Sequence, residues 1–280
     1  MSFYPRLNIK NFFIVIWFIT LFFIISCGED VSLNSPGQLV VIIKADDYGK
    51  PTNNWNQFIN MVSDSGICAG IGIISKNATD DNSISEIKRV TGLLQSNNYP
   101  VIEFWNHGYD HSRIVEKYEF DGPDYNYQFG HIQSAQNFFS KSLNFTCRSF
   151  GAPFNKTSTE TASAINHFPE INVWMCYQKI ENQHPKGWKD PDKEVIINTD
   201  KRIILDIEYA SVYKFNSNEM IKNYKHDKKK PYVLIQLHPD AWKGKSFEEF
   251  GKLIHFYKSG NRAVFMTPYQ YYEYLLKLDN

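Results

Sequence analysis

The chain alternates short apolar runs with segments whose apolar residues recur at helical spacing. Leu39 to Ala45 (LVVIIKA) is the first such run and reads as a buried strand, and Asn54 to Ser63 follows as an amphipathic helix. The alternation continues with strands at Cys68 to Ile74, Pro100 to Asn106, Cys147 to Pro153 and Ile171 to Tyr177, separated by helices at Ser83 to Gln95, Tyr127 to Leu143 and Ser158 to Asn166. Lys201 to Glu208 and Tyr232 to His238 read as strands around a helix near Asn218 to Tyr224. Phe247 to Lys258 is then a helix, Arg262 to Met266 a strand, and Pro268 opens a last helix. Strands that alternate with helices form parallel βαβ units. At this length about seven of them predict an α/β fold closed into a distorted (β/α) barrel rather than an open sheet. The stretches Glu119 to Tyr125 and Glu181 to Asp192, rich in Pro, Gly and Asp, read as irregular loops.

The N-terminus belongs to a different pattern. Arg6 and Lys10 precede an apolar run from Phe12 to Ile25, and no acidic residue occurs before Glu29, as in a secretory signal. Ile24-Ile25-Ser26-Cys27 resembles the lipobox of bacterial lipoproteins, in which the cysteine is lipidated. An uncleaved anchor helix and an ordinary cleaved signal are the other readings, and Cys27 favours the first. The expected organisation is a signal at residues 1–26, a lipid-anchored tether at 27–38 and one domain at 39–280. The protein is then expected in the cell envelope, held to a membrane by the lipid and facing outside the cytoplasm.

Composition narrows the function. The 280 residues include 30 basic and 30 acidic side chains, so no overall field favours nucleic acid. An aromatic share of 16%, with 17 tyrosines and six tryptophans, suits a core and also a sugar-binding groove. Beside Cys27 the chain has Cys68, Cys147 and Cys176, each in or beside an apolar run, where buried free thiols are expected. Nothing in the pattern calls for a second subunit, and a monomer is expected.

Three groups of chemically able residues sit at the ends of predicted strands, where α/β folds build their sites. Glu103 to Ser112 (EFWNHGYDHS) carries His107 and His111; if the chain turns helically there, both imidazoles point one way and can grip one metal ion. Asp46 and Asp47 end the first strand before Tyr48-Gly49, so that one carboxylate could bind a cation and the other act as a base. His238 ends another strand, and Pro239 aims it outward, as a general acid requires. Each group alone is an ordinary turn or strand end. Their order along the chain is what singles them out.

That order resembles the NodB-like polysaccharide deacetylases of carbohydrate esterase family four, over roughly Leu39 to Met266. Ala45-Asp46-Asp47-Tyr48-Gly49 is similar to the first motif of the YdjC-like oligosaccharide deacetylases. The resemblance implies Asp46 as catalytic base, Asp47, His107 and His111 as metal ligands, and His238, beside Leu237, as catalytic acid. The family's Arg-x-Pro-Tyr motif survives as Gly151-Ala152-Pro153-Phe154, so Gly151 stands where the family's arginine steadies the base. Arg148 is the nearby arginine that could take its place. Asp110 is a candidate to support His111 from behind. Trp105, Tyr109, Pro153, Phe154 and Trp242 lie in or beside the motifs and are candidates for the sugar platform.

The expected activity is removal of N-acetyl groups from a polysaccharide or oligosaccharide, with one divalent metal ion, zinc being the expected one. Two alternatives share the scaffold: a catalytically impaired, lipid-anchored glycan-binding protein, and an esterase acting on O-acetyl groups.

Overall fold

A computed structural model describes residues 38–114, 117–177, 196–197 and 202–278. All of these lie in one compact unit, Ser35–Asn280. The expected signal, the expected tether with Cys27 up to residue 37, and the expected loop from Glu181 to Asp192 lie outside the described residues.

The centre of the fold is β1 (Leu39–Tyr48), whose residues up to Asp46 are all buried. A strand covered on both faces must be a near-continuous apolar run, and Leu39 to Ile43 supplies it. On one side β1 pairs with β11 (Tyr232–Leu237), from Val40↔Tyr232 to Ala45↔Leu237. Its other edge is divided: Leu39 to Val41 pair with β12 (Ala263–Phe265), and Lys44 onward pairs with β2 (Ala69–Ile73).

The sheet continues from β2 through β3 (Ile102–Asn106), β6 (Ser149–Phe150) and β7 (Val173–Cys176) to β9 (Arg202–Asp206). Beyond β11 it gains β10 (Tyr209–Ser211). Eight parallel strands thus run in series, β10-β11-β1-β2-β3-β6-β7-β9, with β12 branching from β1 and the short β8 (Ile196–Ile197) antiparallel at the β9 edge. The end strands are not paired with each other among the described residues, so the barrel is distorted and incompletely closed. A separate hairpin, β4 (Arg113–Ile114) and β5 (Lys117–Tyr118), follows the β3 loop.

The helices are cut where the sequence supplies caps. Thr52 Oγ1 accepts from Trp55 N at 3.2 Å and opens α1 (Asn53–Asp64), which buries Trp55, Phe58, Ile59 and Val62 on one stripe. Asp80 opens α2 (Asp81–Thr91), which ends at Gly92, short of the expected Gln95. The expected helix from Tyr127 to Leu143 is α3 (Tyr125–Asn137) followed by a π-helical turn, Phe138–Leu143, closed by Asn144 at φ 61°. Next come α4 (Thr159–Ile165), α5 (Ser217–Asp227), α6 (Ser246–Lys258) and α7 (Pro268–Leu278).

The expected strand from Cys147 to Pro153 shrinks to Ser149–Phe150, because Gly151 N is the last donor to β3, bonding Asn106 O at 3.1 Å, and Pro153 starts a 3₁₀ turn. Cys68, Cys147 and Cys176 are free and buried, and burial raises all three thiols, Cys68 to about 12. No helix among the described residues is long and apolar enough to cross a membrane.

Candidate active site

The C-terminal ends of β1, β3, β6, β10 and β11 meet at one end of the sheet, and the candidate residues converge there. Asp46 and Asp47 would point to opposite faces of a regular strand. The β1–β2 register shifts between Ala45 and Tyr48, and Asp47 takes φ 73°, so a bulge turns both carboxylates toward His107. His107 Nε2 lies 3.0 Å from Asp47 Oδ1 and 3.8 Å from Asp46 Oδ2. His111 Nε2 lies 3.1 Å from Asp47 Oδ1, and His238 Nε2 lies 3.8 Å from Asp47 Oδ2.

The two histidines do not meet by a helical turn. Gly108 at φ 80° and His111 at φ 56° bend the chain instead. The bend is fastened by Glu119, a fully buried carboxylate in the stretch expected to be an irregular loop. Glu119 Oε1 accepts from Tyr109 N at 2.6 Å and Oε2 from His111 N at 2.7 Å, while His131 Nδ1 lies 2.9 Å from Oε1. Glu119 therefore holds the position expected of Asp110. Asp110 accepts from Ser112 N at 3.1 Å and lies 3.5 Å from Lys76 Nζ and 3.8 Å from His131 Nδ1.

Hydrogen bonds fix the tautomers. His107 Nδ1 lies 2.7 Å from Gly151 O, and His238 Nδ1 lies 3.0 Å from Ser211 O. A carbonyl oxygen only accepts, so each Nδ1 carries a proton and each Nε2 faces the site. The 3.0 Å contact of His107 Nε2 with Asp47 Oδ1 is met in two ways, by an imidazolium that donates to the carboxylate or by a neutral ring that shares a cation with it. Two ligands of a tetrahedral zinc at about 2.0–2.1 Å stand about 3.3 Å apart, close to the spacing found. Asp47, His107 and His111 thus fit a divalent metal. Burial pushes the Asp47 carboxyl upward, but hydrogen bonds from His107 and His111 outweigh it and hold the group well below the usual carboxylate range. Burial lowers His111, and its bond to Asp47 more than reverses this, leaving it above an ordinary histidine.

Asp46 is held from one side. Oδ2 accepts from Lys44 Nζ at 2.5 Å and from Gln236 Nε2 at 2.7 Å, and Asn155 Nδ2 donates to Gln236 Oε1 at 2.8 Å. Oδ1 is buried with no partner. Arg148 does not reach this carboxylate: its guanidinium lies 5.1 Å from the Tyr269 ring centroid, at the start of β6. Lys44, Gln236, Asn155 and Glu119 were not singled out from the sequence. Lys44 left a signal there, being a lone charge in an apolar run, two residues from Asp46 and so on the same strand face.

Only one candidate platform residue offers an open ring beside the candidate metal ligands. Phe154, 40% exposed at φ 58°, lies 4.2 Å from the His111 ring and 5.1 Å from Tyr118, with Pro153 buried behind it. Trp105 is fully buried under Gly70, Gly72 and Gly151 and forms the floor below His107, so it offers sugar no face. Trp242 is likewise buried, packed among Phe58, Phe215, Phe247 and Phe250. Tyr109 turns its ring to His131 at 5.2 Å and the Lys76 ammonium at 5.6 Å.

No known family profile matches the sequence, and no curated protein sequence resembles it. Solved structures do resemble the fold. A Mycobacterium smegmatis protein assigned as a polysaccharide deacetylase matches with a TM-score of 0.64 at 11% identity, over 88% of this chain and 94% of that one. A family 4 acetyl xylan esterase from Clostridium thermocellum, in complex with a cobalt ion, matches with a TM-score of 0.51 at 15% identity, over 84% and 91%. A CE4 family pseudoenzyme from Bacillus anthracis matches with a TM-score of 0.53 at 11% identity, over 82% of this chain and 64% of that one. The chain thus has the α/β fold of the carbohydrate esterase family 4, NodB-like deacetylases, at 11–15% sequence identity to these three structures.

Proposed function

We propose that this protein is a metal-dependent hydrolase that removes N-acetyl groups from a polysaccharide or oligosaccharide. The observation that carries the proposal is the arrangement around His107: Asp47 and two imidazoles converge at a spacing that could hold a cation, while the neighbouring Asp46 keeps a buried oxygen, Oδ1, without a partner. Asp47, His107 and His111 would hold a divalent ion, which would supply Lewis acidity to the acyl carbonyl and to the attacking water. Asp46 takes the proton of the attacking water at Oδ1. His238, with Nδ1–H fixed on Ser211 O, would act as an imidazolium that passes its Nε2 proton to the departing amine, and the neutral ring regains a proton from solvent while Asp46 releases the one it took. Water oxygen joins the acetyl carbon, the C–N bond breaks, and acetate and a free amino sugar leave. Phe154 presents its exposed ring to the sugar beside the metal ligands.

The same geometry suits an acetyl ester, and the resemblance to an acetyl xylan esterase keeps that substrate in view. Acetate release by the full-length chain from N-acetylglucosamine oligomers and from O-acetylated xylan decides between them. The proposal predicts faster release from the amide; release from the ester alone would replace it with the esterase reading. The N-terminal pattern around Cys27 supports placing this activity in the cell envelope, on a lipid anchor.

A further inference from the structure

We propose that Lys44 is a positioning residue for Asp46, and that residue 151 is glycine because the lysine occupies the space a side chain there would fill. The inference rests on the hydrolase reading in giving Asp46 a proton to take; the packing that motivates it does not.

Lys44 and Asp46 are two apart on β1, on one face of the strand. Lys44 is 0% exposed, and its Nζ sits 2.5 Å from Asp46 Oδ2 and 4.7 Å from the centroid of the buried Trp105 ring. Burial lowers its pKa, and the Asp46 carboxylate opposes that shift. A buried ammonium is retained only where a partner offsets its desolvation. Here that partner is a carboxylate at the candidate site. Lys44 and Gln236 both donate to Oδ2, which fixes the plane of the carboxylate and leaves Oδ1 as the oxygen without a donor.

Gly151 completes the arrangement. A Cβ there would stand 3.0 Å from Lys44 Cε and 3.0 Å from the Trp105 ring. A side chain at 151 would press on both the end of Lys44 and the Trp105 ring, and a larger one would have to displace the lysine from its place beside Asp46. The cation that supports Asp46 therefore enters from β1, and β6 gives up its side chain to admit it.

The test is a set of variants of the full-length protein, each checked for metal stoichiometry and thermal unfolding. Lys44→Met keeps the aliphatic stem against Trp105 and removes the charge. The expected result is a kcat at least 100-fold below wild type with KM and metal stoichiometry unchanged. Gly151→Arg alone should also lose activity, through the clash with Lys44. Combined with Lys44→Ala, which removes the Cε that a side chain at 151 would meet, the arginine has that space and should restore kcat at least tenfold over Lys44→Ala.

A readout free of turnover accompanies these. In metal-free protein, Lys44→Met and Asp46→Asn should each lower Tm, and the double variant should lower it by clearly less than the sum. A folded, metal-loaded Lys44→Met variant with wild-type kcat would overturn the inference, and so would additive Tm losses or a Lys44→Ala/Gly151→Arg variant no better than Lys44→Ala. Wild-type protein that releases no acetate from any substrate would instead remove the hydrolase reading, and the Tm cycle would still decide whether Lys44 and Asp46 are coupled.

Discussion

Asp46 and Asp47 are adjacent in the chain, yet both turn a carboxylate oxygen toward the same His107 nitrogen, at 3.8 Å and 3.0 Å. The bulge at the end of β1 makes this possible and gives the two residues different work. Asp47 shares its oxygen with two imidazoles and is more open; Asp46 is buried, paired with Lys44 and Gln236.

Replacing them should separate binding from chemistry. Asp47→Ala removes a ligand and should weaken metal binding by more than the roughly 10- to 100-fold typical of losing a group behind a ligand. Asp46→Asn should keep about one metal per chain and lower kcat by about 10²–10⁴-fold. Metal titration and acetate release on both variants check this, and full turnover in Asp46→Asn would remove the base assignment.

Glu119 should matter without touching the ion. Its carboxylate takes the backbone N–H groups of Tyr109 and His111, and Glu119→Ala leaves both without their acceptor at about 1–3 kcal/mol each. The expected outcome is a lower Tm together with a metal affinity reduced about 10- to 100-fold. Unchanged metal affinity in a folded variant would show that the bend holds without it.

The aromatic residues divide into surface and core. Phe154→Ala should raise KM several-fold and leave kcat near wild type, since an exposed ring binds the ground state and transition state alike. Trp105→Ala and Trp242→Ala should instead cost about 3–5 kcal/mol of stability. Kinetics and chemical denaturation distinguish the two patterns.

Asp47 and His111 also predict opposite pH responses for the metal-free and metal-loaded protein. Asp47 is depressed in the fold, so its contribution is present above the ordinary carboxylate range and is lost as pH falls through the depressed value. His111 is raised, so its contribution is full below about 6.5 and is lost as pH rises through the raised value. Metal-free protein should therefore gain stability from this pair in mildly acid solution. Metal needs the imidazoles unprotonated, so the Tm increase on adding zinc should grow from pH 5.5 to about 7.5. Thermal unfolding with and without zinc across that range checks it; an increment that shrinks with pH would contradict the ligand set.

The chemistry was legible where it coincides with an interruption of a hydrophobic pattern. Apolar runs that stop at Asp46-Asp47, at His107 and at His238-Pro239 declare strand ends, and strand ends are where a parallel sheet builds its site. What supports those residues was less legible, because it depends on strands distant in sequence. Glu119 sits in a stretch that reads as a polar loop, and only the fold folds it back under the β3 bend. Trp105 and Trp242 adjoin the motifs in sequence but are core: Trp105, two residues before His107 and on the same face, lies one layer deeper, beneath that ring, and Trp242, after the turn at Pro239, packs among Phe58, Phe215 and Phe250. The short β10 and the β4–β5 hairpin were missed because two or three residues carry no period.

The most direct test of the account is acetate release from N-acetylglucosamine oligomers by the full-length chain, measured before chelation, after chelation and after one equivalent of zinc or cobalt is returned. The account predicts release, its loss on chelation, and its recovery with the metal in wild type but not in His107→Ala. Release that survives chelation, or that returns equally in His107→Ala, would contradict it.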